Sequence, residues 1–151
     1  MIKNKKQYEY TQELIQSFES TLSNYNTPES SQENNDLLHQ IQRESLQSHI
    51  DVLKAEIVEY ETLIKKSDRH PLTLQLSDIQ NLSQIPIKAR IAAKLTQKEL
   101  AKLAGLTEQQ IKDYEKRDYQ TASFLDFLFV LDALNIQIEN GQFLVPLNLI
   151  H

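Results

Sequence analysis

The sequence contains no cysteine and only two glycines, Gly105 and Gly141. Without cysteine there is no disulfide framework, no Cys-ligated zinc and no thiol nucleophile, and the chain suits a reducing, cytoplasmic setting. Two isolated glycines exclude a Gly-rich phosphate loop. No apolar run approaches the ~18 residues a membrane-spanning helix needs. The stretch from Met1 to Tyr10 is polar and lysine-rich, so no secretory signal is expected. The histidines His39, His49, His70 and His151 are scattered, and His39 and His49 do not share a helix face at ligand spacing, so no metal site is expected. No Ser-His-Asp spacing or nucleophile elbow is visible. Glu56, Glu59 and Glu61 have no nucleophilic or basic companion nearby and read as a solvated face. The expectation is a non-enzymatic protein without cofactor or metal and with no membrane association.

What is present is a chain of 151 residues, enough for one domain or two small modules sharing a core. The formal net charge of −5 looks wrong for a partner of nucleic acid, but the charge is unevenly distributed. Thirteen acidic residues against eight basic ones occupy Met1 to Gln84, whereas Lys88 to Arg117 holds eight basic residues against four acidic ones. A locally basic segment of that kind is compatible with phosphate binding.

Three regions follow one another. In the first, Tyr8, Thr11, Ile15, Phe18, Leu22 and Tyr25 step by three and four, one face of a helix from Asn4 to about Tyr25. Asn26 to Asn35 has turn chemistry and nothing apolar. In the second, Asp36 to about Lys66, the positions Leu46, Ile50, Leu53, Ile57, Tyr60 and Ile64 form a heptad seam. A helix with one apolar stripe must pack on a neighbour. That neighbour is the first helix, a second copy, or both, and the seam is the expected partner-binding surface. Tyr8, Tyr10 and Tyr25 are expected to pack the helical hairpin. Asp68 to Pro71 stops the helix. Leu72, Leu74 and Leu76 permit a short strand, and Ser77 to Leu82 permits a helical turn capped by Ser77.

The third region reads as four helices. Pro86 suits the first turn of one running to about Lys94. Thr96 with Glu99 and Thr107 with Gln110 are two capping boxes. A fourth helix spans about Ala122 to Leu134, with leucines at 125, 128, 131 and 134. Ile136 to Val145, with Asn140-Gly141 at its centre, reads as a β-hairpin, because a tight primed turn needs positive φ at both central residues. Between Thr96 and Arg117 two short helices meet at a three-residue turn. Ala101 is small enough for them to cross closely. Gly105 supplies the left-handed conformation of the turn. Leu106 and Ile111 bury the inner face, and Thr107 caps the second helix so that its first residues point outward, toward what would be a major groove.

The pattern T-Q-x-E-L-A-x-x-x-G-x-T-x-x-x-I-x-x-Y-E, carried by Thr96, Gln97, Glu99, Leu100, Ala101, Gly105, Thr107, Ile111, Tyr114 and Glu115, resembles the XRE, or Cro/cI-repressor-like, helix-turn-helix family. The resemblance covers about Ile85 to Leu134. It implies a DNA-binding role in which Gln97 clamps phosphate and Glu108, Gln109 and Gln110 open the recognition helix, with Lys112 and Asp113 further along. Gln109 or Gln110 suits bidentate pairing with adenine, and Glu108 suits either cytosine N4 or the helix dipole. Lys98, Lys102, Lys112, Lys116 and Arg117 are candidates for phosphate contacts. Arg90 and Glu115 match a family ion pair of structural role. The stretch from Lys3 to Phe18, with a helical hairpin placed before the domain, also resembles HigA-type antitoxins.

The expected architecture is therefore mainly α: a helical hairpin interaction region over 1–70, a connector over 71–84, and a lambda-repressor-like helix-turn-helix domain with a short C-terminal β-hairpin over 85–151. The expected function is a sequence-specific transcriptional repressor acting on double-stranded DNA as a homodimer, since one such domain contacts only a few base pairs. Two alternatives stay open. One is the antitoxin of a type II pair, holding a toxin with its N-terminal half and autoregulating its operon. The other is a protein-interaction module that binds no DNA.

Overall fold

The computed structural model describes residues 1–25, 36–66 and 71–144. They form α1 (Lys5–Tyr25), α2 (Asp36–Lys66), a 3₁₀ helix (Ile79–Gln84), α3 (Ile85–Ala92), α4 (Gln97–Ala104), α5 (Glu108–Lys116) and α6 (Phe124–Ala133), with no strand among the described residues. None of these helices is long and apolar enough to cross a membrane.

α1 and α2 pack antiparallel. Tyr8 stacks on Tyr60 with centroids 5.2 Å apart, Glu19 pairs with Lys54 at 2.6 Å, and Tyr25 meets His39 edge-on at 5.9 Å. Every position of the α1 stripe from Tyr8 to Tyr25 is buried or half-buried. Thr11 tolerates burial because its hydroxyl donates to the Gln7 carbonyl at 2.8 Å. Tyr10 is exposed, contrary to its expected place in the hairpin. Two residues beyond Tyr8, it lies about 200° around the helix, on the wet side.

The seam of α2 is covered within the chain. Ile50 and Tyr60 are buried and Leu46, Leu53, Ile57 and Ile64 half-buried. α1 lies along it, and α3 packs against α2 as well. The seam is thus an internal contact and not the open partner surface expected from its spacing. The remaining cover comes from the first residues of the chain. Ile2 is buried with Tyr60 and Leu63 in one cluster that continues through Ile87, Ile91, Leu100, Ala101, Ile111, Tyr119 and Val130. The helix pair and the four C-terminal helices therefore share a core, and Lys88 to Glu59 at 2.6 Å adds a polar tie between them.

Three local expectations are corrected. Leu72 and Leu74 do alternate inward, half-buried against the core, but they form no strand among the described residues. The 3₁₀ helix is capped by Asp78 and not Ser77, the Asp78 carboxylate accepting from the Gln80 amide at 2.9 Å. The hairpin is absent over 136–144: these residues form no strand, and Ile138, Phe143 and Leu144 are exposed. A two-stranded hairpin is marginal in water without packing, and Ile138, Phe143 and Leu144 take no part in the core. Val145, the end of the expected hairpin, the loop at 26–35 and the helix stop at 68–70 lie outside the described residues.

With so few glycines, helix ends fall on other residues. Lys94, Asp118, Tyr119 and Asn135 all adopt positive φ, at 56°, 48°, 57° and 50°. The left-handed region disfavours a Cβ by roughly 1–2 kcal/mol per residue, Asn and Asp least; Tyr119 is held there by burial, and Lys94 by the helix-end bonds from its own amide to the Ile91 carbonyl and from the Leu95 amide to the Arg90 carbonyl.

Candidate nucleic-acid interface

The centre of the C-terminal half is α4, a turn and α5. Both capping boxes form. Thr96 Oγ1 accepts from the Glu99 amide at 3.2 Å and the Glu99 carboxylate accepts from the Thr96 amide at 2.7 Å. That backbone hydrogen bond, then one from the Thr96 hydroxyl, holds the Glu99 carboxyl below its ordinary range. At α5, Thr107 Oγ1 accepts from the Gln110 amide at 3.1 Å and Gln110 Oε1 accepts from the Thr107 amide at 2.9 Å. Between them Gly105 sits at φ +68°, and a Cβ there would meet nothing within 4 Å. Glycine is needed for its conformation and not for space. The Leu106 amide donates back to the Ala101 carbonyl at 2.9 Å, closing the turn, and Ala101 is buried beside Leu100.

The rear of α5 is locked by a charged knot. Glu115 is fully buried. It accepts from Arg90 Nε at 2.5 Å on Oε1, and from Arg90 Nη2 at 2.7 Å and Gln97 Nε2 at 2.8 Å on Oε2. Arg90 is itself satisfied further: Nη1 donates to the Leu95 carbonyl at 2.9 Å and Nη2 to the Lys3 carbonyl at 2.8 Å. A buried pair is tolerable only when its remaining hydrogen-bonding groups are satisfied in this way. The knot joins α3, α4 and α5 and takes in the N-terminal segment.

The outer face of α5 carries the polar residues. Gln109, Lys112, Asp113, Lys116 and Arg117 are exposed, as are Thr107 and, on α4, Lys98 and Lys102. Glu108 and Gln110 are half-buried. The acids that oppose DNA are partnered on the same helix. Glu108 pairs with Lys112 at 2.7 Å, and this hydrogen bond keeps its carboxyl below the ordinary range. Asp113 accepts from Gln109 Nε2 at 3.0 Å. Lys98, Lys102, Lys116 and Arg117 form no ion pair among the described residues. The two glutamines differ: Gln110 is held in the cap, while Gln109 is tied only to Asp113. Gln97 is half-buried with its amide turned to Glu115.

Several residues that position this face have no local signature. Lys3 Nζ pairs with the Asp118 carboxylate at 2.7 Å and also donates to the Glu115 carbonyl, at the C-terminal end of α5. Tyr114, present in the motif as a core residue, donates its hydroxyl to Asp126 at 2.6 Å, which links α5 to α6. Tyr119 lies buried between Tyr114 and Phe127, with centroids 5.9 and 5.7 Å away, and its hydroxyl has no partner among the described residues. Burial, aided by the charge of Glu115, pushes that phenol well above its ordinary value near 10.

Comparison with known proteins agrees with this geometry. A family model described as Helix-turn-helix matches residues 87–141. The chain thus carries an XRE-type helix-turn-helix domain over that span, which points to DNA binding. No curated protein and no solved structure matches the chain.

Proposed function

We infer that this chain, carrying an XRE-type helix-turn-helix domain at residues 87–141, is a sequence-specific DNA-binding regulator that represses transcription as a homodimer. The observation that supports it most directly is the mounting of α5. Its N-terminus is capped and its rear is held by the Arg90–Glu115 pair, so the polar first turns face outward beside the exposed lysines of α4. In this reading Gln109 reads a base edge, exchanging Asp113 for adenine. Gln110 acts from the cap, and Glu108 serves the helix dipole until Lys112 turns to phosphate. Lys98, Lys102, Lys116 and Arg117 neutralise the backbone, and Thr107 and Gln97 approach phosphate at the two helix starts.

The test is selection of the operator from a random-sequence duplex library, followed by isotherms across a salt series. Affinity should fall linearly in log–log form with salt. Gln109→Ala should lose ~1–3 kcal/mol of discrimination at one base position with melting unchanged. Lys102→Ala should weaken all sequences alike and reduce the salt slope by about one. Absence of any salt-dependent affinity would leave only the protein-interaction module.

A second reading, an antitoxin, draws on one observation. Leu37, Leu38 and Ile41 are exposed together at the start of α2, about 35 Å along the helix from Leu63 at 1.5 Å per residue. A toxin seated there would be lost by Leu38→Glu with Ile41→Glu while operator binding persists. Co-expression with a neighbouring reading frame, scored by growth, decides it.

A further inference from the structure

The acids on the outer face of α5 are partnered within that helix, but Asp118 is not. It follows directly on Lys116 and Arg117, two of the exposed cations assigned to phosphate. A carboxylate in that place attracts the same cations and repels the duplex. Its Oδ1 atom is shut off from water and receives no aligned hydrogen bond; the Lys3 ammonium, 2.7 Å away, is the positive charge set against it. Lys3 is fixed on both sides of its backbone. The preceding residue, Ile2, is 3% exposed in the shared core. The Lys3 carbonyl accepts at 2.8 Å from Nη2 of Arg90, the guanidinium that also holds Glu115. The Lys3 amide donates to Gln7 Oε1 at 2.8 Å, which ties the segment to the first turn of α1. The Lys3 side chain is accordingly 15% exposed, whereas that of Lys5, two residues on, is 85% exposed. Lysine is seldom buried to that degree without a fixed partner. Lys3 Nζ also donates to the Glu115 carbonyl, one of the last carbonyls of α5 with no partner inside the helix. A cation there sits at the negative end of the helix dipole.

We propose that Lys3 is a positioning residue for DNA binding: it masks Asp118 and pins the end of α5, so that Lys116 and Arg117 are left to phosphate. Without Lys3, Asp118 is an unpaired acid next to Arg117 and one residue from Lys116. It then draws one of these cations to itself, and a phosphate contact is lost. No base is read by this part of the chain, so the loss falls on all sequences alike. Duplex affinity thereby depends on the docking of the first three residues, and the helix pair that begins with them is coupled to the reading helix through one side chain.

This inference rests on the reading of α5 as the helix that meets DNA, and deepens it. The test is titration of the full chain with a random-sequence duplex across a salt series, at a temperature where circular dichroism shows each variant folded. Lys3→Met should bind about tenfold more weakly and lower the salt slope by about one, as for the loss of one phosphate contact. Lys3→Arg keeps the charge and should restore binding. Asp118→Asn suits the left-handed backbone at φ 48° and should bind like the wild type, because the acid it removes is already masked. Lys3→Met combined with Asp118→Asn should bind like Asp118→Asn alone. A lysine that only stabilised the fold would lower the melting temperature, leave the salt slope of the folded chain unchanged, and gain nothing from Asp118→Asn. Unchanged affinity in Lys3→Met overturns the proposal, and so does a double variant as weak as Lys3→Met. If Lys3→Met fails to fold, Asp118→Asn decides: unchanged affinity supports masking, and a tenfold gain shows an unmasked acid and overturns it. A wild type that binds no duplex at any salt sinks the DNA reading and this inference together. A wild type that binds, with Lys3→Met its equal, sinks this inference alone.

Discussion

α2 and α6 dispose of their apolar residues in opposite ways. α2 is long, with one apolar stripe on a polar helix, and the chain covers that stripe itself with α1, α3 and the Ile2 side chain. α6 is short and apolar on most sides, and the chain covers only half of it: Val130 is buried, and Phe124, Leu125, Leu128 and Phe129 are exposed. Spacing alone marks α2 as the surface in need of a partner, because a heptad seam is the familiar form of one. Composition marks α6, because there is no polar side to turn outward. The lesson is that a seam says which face is buried and leaves open what buries it, whereas a helix apolar on most sides leaves exposed whatever its one covered face does not take up.

The comparison can be broken most forcefully on α2. Leu53→Glu with Ile57→Glu puts two like charges at i, i+4 into a half-buried packed contact, a change expected to cost roughly 3 kcal/mol. The expected outcome is loss of the α1–α2 pair and a lower melting temperature. A variant that melts like the wild type and merely changes oligomeric state would return the seam to the role of partner surface. On α6 the two faces should separate. Val130→Ala, on the covered face, removes two methylene equivalents and leaves a cavity, for about 2 kcal/mol in denaturant unfolding.

Tyr119→Phe probes the covered face more gently. Its hydroxyl is buried without a partner, so removing it should leave stability at neutral pH unchanged or slightly higher. The wild-type phenol is raised in the folded chain, so the unfolded chain gives up its proton first as pH climbs. Stability is therefore unaffected below the ordinary value near 10 and falls above it. Unfolding curves above that pH should decline less steeply for Tyr119→Phe. The smallest effect is expected at Phe124→Ala, on the uncovered face: within about 0.5 kcal/mol for the isolated chain, read at high dilution. A large loss there would show that α6 is already covered on both sides.

Much of this was legible. The α1 stripe appears in the spacing of six residues, and the two capping boxes in Thr96–Glu99 and Thr107–Gln110. The Arg90–Glu115 pair was legible only through resemblance, since nothing in the spacing of an arginine and a glutamate twenty-five residues apart brings them together. What failed did so for physical reasons. Asn140-Gly141 encodes a turn, but a turn alone does not make a ribbon when its flanking side chains are not packed on the core. Tyr10 was grouped with Tyr8 by residue type, although helical geometry separates them. The left-handed conformation of Tyr119 is set by its burial and against the tendency of its side chain, so local sequence points elsewhere. The capping box already placed Gln110 at the start of α5, but the sequence did not show that Gln109 is tied to Asp113.

The contact made by Lys3 bears on the order in which the molecule assembles. Its side chain meets the Glu115 carbonyl across 112 residues of sequence, whereas the Arg90–Glu115 contact inside the α3–α6 unit spans 25. Loop closure over so long a span slows a contact, and local helical contacts form fast. The α3–α6 unit should therefore organise first, with the start of the chain docking onto a finished domain. The same separation ranks the openings of the folded protein. The first three residues and their hold on Asp118 should release before the knot around Glu115 does, giving the end of α5 a sub-global opening of its own. In hydrogen exchange the amides of Asp118 and Tyr119 would then exchange well ahead of those of Leu100 and Ile111.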